Sequence, residues 1–176
     1  MKQEKEYSNE WLARMFGAYM GCECDTTYQN SKGEAIVSKT IGIVNNSVFF
    51  EIDLLGNVSI HLSRIKPMLT PLSEISDADA IELAMIISED KIPWRLVERD
   101  IGLISIYDSV RENSIEIFEE ERFVKMEYET GKFYTCGWSL SMYDYLRRKG
   151  YDCGFMEVPS LIEAGLAVKK TKHGSN

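Results

Sequence analysis

Asn45-Asn46-Ser47-Val48-Phe49-Phe50-Glu51-Ile52-Asp53-Leu54-Leu55-Gly56-Asn57-Val58-Ser59-Ile60-His61-Leu62 sets two extended runs between turn clusters. Val48-Phe49-Phe50 is unbroken apolar and rich in residues that suit a pleated sheet, which predicts a central strand from Val48 to Leu54. Val58 to Leu62 predicts its partner across the Leu55-Gly56-Asn57 turn. Working towards the N-terminus, Cys22 to Tyr28 and Ala35 to Val44 flank a third turn cluster at Asn30-Ser31-Lys32-Gly33. Four short strands separated by turn residues read as an antiparallel meander.

Helical spacing brackets this meander. Trp11, Leu12, Met15, Phe16, Tyr19 and Met20 recur as one face of a helix from about Glu10 to Met20, which Gly21 stops. Pro67 and Pro71 punctuate a connection into Ser76-Asp77-Ala78-Asp79. There a Ser hydroxyl and a carboxylate three residues on form a capping box for a helix from Asp77 to about Ser88. Further strands are expected at Ile101 to Tyr107, Ser114 to Phe118, Arg122 to Tyr128 and Lys132 to Cys136, the last two joined by a tight hairpin at Glu129-Thr130-Gly131. Segment 94–110 fits either a strand or a short helix. Ser139 or Ser141 caps another helix, in which Arg147-Arg148-Lys149 meets the negative end of the helix dipole before Gly150. Val158 to Gly165 reads as a helix of one or two turns opened by Pro159, and Leu166 to Val168 as a last strand. The fold class is α+β. A single domain over residues 1–168, with antiparallel strands in a meander and a hairpin, is packed by about three to four helices and followed by a polar tail over 169–176.

Composition narrows the function classes. The 176 residues are 44% hydrophobic and 27% charged, a globular balance. A net charge of −8 repels phosphate at long range, so no general affinity for nucleic acid is expected. No apolar run reaches bilayer length and the first residues lack the apolar centre of a signal peptide, which points to a cytoplasmic chain without membrane contact. Cys22, Cys24, Cys136 and Cys153 are expected as free thiols. Zinc is disfavoured: Cys22-Glu23-Cys24 on a strand is expected to send its thiols to opposite faces, and Cys136 and Cys153 flank a helix without a paired knuckle. His61, between Ile60 and Leu62, is expected at the surface, and His173 lies in the tail, so no histidine-based triad forms. Phosphate-loop and nucleophile-elbow motifs are missing. No catalytic, cofactor-binding or metal-binding residue is named, and no cofactor is expected.

Between Glu112 and Glu129 stand seven glutamates against Arg122 and Lys125, a local balance of −5. A solvated hairpin whose charge protects its edge explains this run. The sharper alternative is an acidic surface that docks a partner, with Glu116, Glu119, Glu120, Glu121, Tyr128 and Trp138 as the candidate interaction residues. Aromatic residues from Trp94 to Tyr151 are either core with polar tips or the lining of a pocket.

Leu69 to Ala84, Tyr145 to Gly154 and Pro159 to Gly165 together resemble small uncharacterised proteins carried by phages and prophages of gut bacteria. The resemblance covers about a third of the chain and lies in helix starts and stops. It implies a phage-type accessory protein and brings no catalytic residues with it. The expected function is that of a non-catalytic, stoichiometric binder of a host enzyme or defence factor. The alternatives are sequestration of a nucleotide-like metabolite and an enzyme of unfamiliar type.

Overall fold

The computed structural model describes residues 6–29, 32, 35–52, 56–88, 93–111, 113–118, 123–127, 133–137 and 139–170. In chain order these form α1 (Asn9–Ala18), β1 (Glu23–Gln29), β2 (Ala35–Val44), β3 (Ser47–Ile52), β4 (Gly56–His61), β5 (Lys66–Pro71) and α2 (Asp77–Ser88). Then come β6 (Leu96–Asp100), β7 (Leu103–Tyr107), β8 (Ser114–Phe118), β9 (Phe123–Glu127), β10 (Phe133–Gly137), α3 (Leu140–Lys149), β11 (Tyr151–Asp152) and β12 (Val168–Lys169). The fold is α+β, with largely antiparallel sheets. It divides into two compact units, residues 1–70 with 147–176, and residues 71–146.

The first unit holds a seven-stranded sheet in the order β11-β5-β1-β2-β3-β4, with β12 parallel to β5. Asn45 and Asn46, at φ 49° and 64°, make the tight turn that joins β2 to β3. Two consecutive positive φ values match the right-handed twist of a hairpin, and asparagine tolerates them better than most residues. Along β3 the burial alternates: Val48, Phe50 and Ile52 point into the core while Glu51 is exposed. β3 is an interior strand, one place from the edge strand β4, rather than the centre of the sheet. Ser8 caps α1 by accepting the amide of Trp11 at 3.2 Å, and Met15, Phe16 and Tyr19 are buried. Met20 lies beyond the helix and is exposed, so the apolar face is narrower than its spacing suggested.

Several expectations are corrected here. The Pro67 and Pro71 connection is the strand β5: Pro67 stands opposite Cys24 of β1, and Pro71 ends the strand. Cys22 and Cys24 are both buried, because residues two apart on an extended chain share a face. Val158 to Gly165 is no α-helix but a set of turns, closed by the bonds from Ala164 N to Ser160 O (3.1 Å) and from Leu166 N to Leu161 O (2.8 Å). Lys169, assigned to the polar tail, belongs to β12, and Lys170 N continues the pairing to Leu69 O at 2.8 Å. Residues 171–176 lie outside the described residues.

The second unit holds a five-stranded antiparallel meander in the order β10-β9-β8-β7-β6. Segment 94–110 therefore holds the strands β6 and β7 with the turn between them, and no helix. Ile101, expected to open a strand, is instead fully exposed in the Ile101-Gly102 turn between β6 and β7. Ile104, Ile106, Ile115 and Ile117 are buried, as are Ala80, Leu83 and Ala84 of α2, which packs on β6 and β7. The capping box forms as its spacing requires. Ser76 Oγ accepts the amide of Asp79 at 3.1 Å and donates to Asp79 Oδ2 at 2.7 Å. Arg99 ties β6 to the start of α2, donating to Ile75 O and to Asp77 Oδ1, each at 2.6 Å. The hairpin turn expected at Glu129-Thr130-Gly131 lies outside the described residues. No helix among the described residues is long and apolar enough to cross a membrane.

A candidate anion-binding cavity

Five short segments of the first unit line a cavity of about 160 Å³. Gly21, Cys22 and Glu23 lead into β1, Lys39 lies on β2, Met68 on β5, Arg148, Lys149 and Gly150 close α3, and Lys170 follows β12. Local chemistry explains why each reaches this place. Gly21 and Gly150 adopt φ of 86° and 80°, the left-handed region that glycine enters at no steric cost, so the chain turns sharply after each helix. The antiparallel register of β1 and β2 sets Glu23 directly across from Lys39. Parallel pairing of β12 with β5 then carries Lys170 to the same wall, where its Nζ lies 2.7 Å from Glu23 Oε2.

Four cations against one carboxylate give the lining a formal balance of +3 in a chain of net charge −8. Such a reversal of sign draws small anions to one place on an otherwise repelling surface. The carbonyl end of α3 carries partial negative charge, which favours Arg148 and Lys149 there and offsets part of their positive field. The backbone donors of the lining already have partners: Gly21 N binds Thr40 Oγ1 (2.7 Å), Cys22 N binds Tyr19 O (3.1 Å) and Gly150 N binds Arg147 O (2.9 Å). Recognition of an anion would therefore fall to side chains rather than to a cradle of amides.

Cys22 offers no nucleophile in this cavity. Burial, with Cys153 adding to it, pushes its thiol up to about 11, and the thiol donates to Arg147 O at 3.2 Å. Cys24, raised to about 12 by burial and then by Cys22, is likewise a protonated core thiol at neutral pH. Beside them the Tyr19 hydroxyl donates to Gly154 O at 3.1 Å, and burial raises its pKa further from neutrality.

No family model, curated protein or solved structure matches the chain. What the site does is thus to be read from its own residues.

The residues singled out from the sequence fare unevenly. Glu116 lies half-buried on β8, across from Ser105 of β7 and Lys125 of β9, between the buried Ile115 and Ile117. Glu119, Glu120, Glu121, Tyr128 and Trp138 lie outside the described residues. Of the aromatic set, Trp94 is buried and donates to Ser88 Oγ at 3.3 Å, and Tyr151 is buried. The Tyr145 hydroxyl sits 2.8 Å from Glu82 Oε2 and 3.1 Å from Asp79 Oδ1. Burial, then those carboxylates, raises the tyrosine's pKa. All three are core residues, and the polar tips of Trp94 and Tyr145 are hydrogen-bonded. His61 is exposed and caps a turn of 3-10 helix, accepting the Ser63 amide at 3.3 Å. The cavity itself was missed: Gly21 and Gly150 read as helix stops and Arg147-Arg148-Lys149 as a helix ending. The available signal was that both stops are followed or preceded by charge, Glu23 after one and Arg148-Lys149 before the other.

Proposed function

We propose that the protein is a small-ligand binder that takes an anionic metabolite into the cavity between β1, β2 and the end of α3. The observation that carries this reading is the gathering of Lys39, Arg148, Lys149 and Lys170 in the lining of one cavity of an acidic protein. Sequestration rather than turnover fits the chemistry: the cavity offers cations to hold an anion, and its one thiol is protonated. A ligand that binds only the folded state raises its unfolding temperature. At a hundred times Kd the gain is about 2.7 kcal/mol, or roughly 5–10 °C for a domain of this size. Scanning calorimetry at constant ionic strength, with pyrophosphate and oxalate as probes, is expected to show such a rise. It should be absent in the Lys39→Gln/Arg148→Gln double variant, whose exposed side chains can be replaced without disturbing the core. Failure of both probes, or an equal rise in the variant, contradicts the reading.

A second reading, a phage-type accessory protein that binds a host enzyme or defence factor, draws support from the −5 charge balance between Glu112 and Glu129. That balance favours a basic partner surface. Charge reversal at Glu119, Glu120 and Glu121 is then expected to abolish stoichiometric capture of a host protein from lysate. Capture that survives the reversal removes this reading.

A further inference from the structure

We infer that the anion held in the cavity is a phosphoryl group or diphosphate whose organic part stays outside, and that the Glu23 carboxylate is its internal competitor. This inference rests on the anion-binding reading and narrows it to a ligand class.

Size sets the first limit. About 160 Å³ is small beside the roughly 300–1,000 Å³ of pockets that enclose a drug-sized molecule, and suits one or two phosphoryl groups. A nucleotide-like metabolite therefore enters by its phosphate end only.

Geometry sets the second. A planar carboxylate is best met by one guanidinium fork, two parallel bonds from one side. Here the cations stand on separate segments of the chain: Lys39 on β2, Arg148 and Lys149 at the end of α3, and Lys170 just beyond β12. Three lysine point charges together with one arginine suit an oxyanion that carries more than one charge better than a single planar carboxylate. The lining balance of +3 likewise favours a di- or trianion over a monocarboxylate. With the backbone amides of Gly21, Cys22 and Gly150 engaged inside the chain, recognition falls to side-chain charge, so binding weakens steeply with salt.

Glu23 completes the picture. It stands across the ladder from Lys39, and its Oε2 lies 2.7 Å from Lys170 Nζ, so its carboxylate already holds one of the four cations. An entering phosphate must take Lys170 from it. Removing the carboxylate while keeping the side chain's shape should therefore strengthen binding, whereas removing a cation should weaken it.

Isothermal titration of the full chain with pyrophosphate, orthophosphate and oxalate at fixed ionic strength tests the inference, with circular dichroism confirming that each variant is folded. Pyrophosphate is expected to bind one to one, more tightly than orthophosphate, and oxalate most weakly. Glu23→Gln is expected to tighten pyrophosphate binding about fivefold, the scale of one exposed ion pair, and Lys39→Gln and Lys170→Gln to weaken it. Oxalate binding as tightly as pyrophosphate overturns the phosphoryl assignment and leaves the anion site standing. Unchanged or weaker binding in Glu23→Gln overturns the competitor role. Absence of binding by all three anions, in the wild type and in Glu23→Gln alike, overturns the anion site itself.

Discussion

Asp152→Ala is expected to destabilise the fold by about 2–4 kcal/mol, read as a lowered midpoint in urea with an unchanged slope. Asp152 is buried and its two oxygens accept four bonds. Oδ1 takes the amides of Gly154 (3.1 Å) and Leu161 (3.0 Å); Oδ2 takes the amide of Ile162 (3.0 Å) and the hydroxyl of Ser160 (2.7 Å). Alanine would strand three buried or half-buried amides in a segment that has no helix or ladder of its own to satisfy them. Asp152→Asn keeps one acceptor oxygen but turns an amide group towards Ile162 N–H and Ser160, so about half the loss is expected. A cost below about 0.5 kcal/mol for the alanine variant, the scale of a surface substitution, would show that these bonds do not hold the loop.

The second large effect lies in the sheet. Phe50→Ala is expected to cost about 3–5 kcal/mol, because a fully buried aromatic ring leaves both lost transfer energy and a cavity that its neighbours fill only in part. The melting temperature should fall by roughly 10 °C. Ile101→Ser, at a fully exposed turn position, serves as the control and is expected to change stability by less than about 0.5 kcal/mol. Similar losses at both positions would mean that Phe50 is not a core residue.

The parts of the fold legible in the sequence are those written in local chemistry. Helix α2 begins where its capping box puts it, since Ser76 and Asp79 meet across one turn of chain, and it ends at Ser88 as expected. The Asn45-Asn46 turn and the register of β2 against β3 follow from two residues and their neighbours. Elements fixed by distant pairing were not legible. β5 carries Pro67 and reads as a connection, and only its partners β1 and β12 make it a strand. β12 has two residues, and Lys169 looks like tail until Met68 and Leu69, some hundred positions earlier, pair with it. The candidate site shares that fate. Its cations are drawn from positions 39, 148, 149 and 170, each with a plain local explanation, and only folding gathers them around one cavity. The acidic run at 112–129, by contrast, is contiguous in the chain and so is visible in the sequence alone.

Nuclear magnetic resonance of the isotopically labelled chain during titration with pyrophosphate locates the anion directly. The amides of Gly21, Cys22, Glu23, Lys39, Gly150 and Lys170 are expected to shift together along one saturating curve, with those of β6 to β8 unmoved. Shifts that leave these six in place, or that never saturate, would contradict an anion site in this cavity.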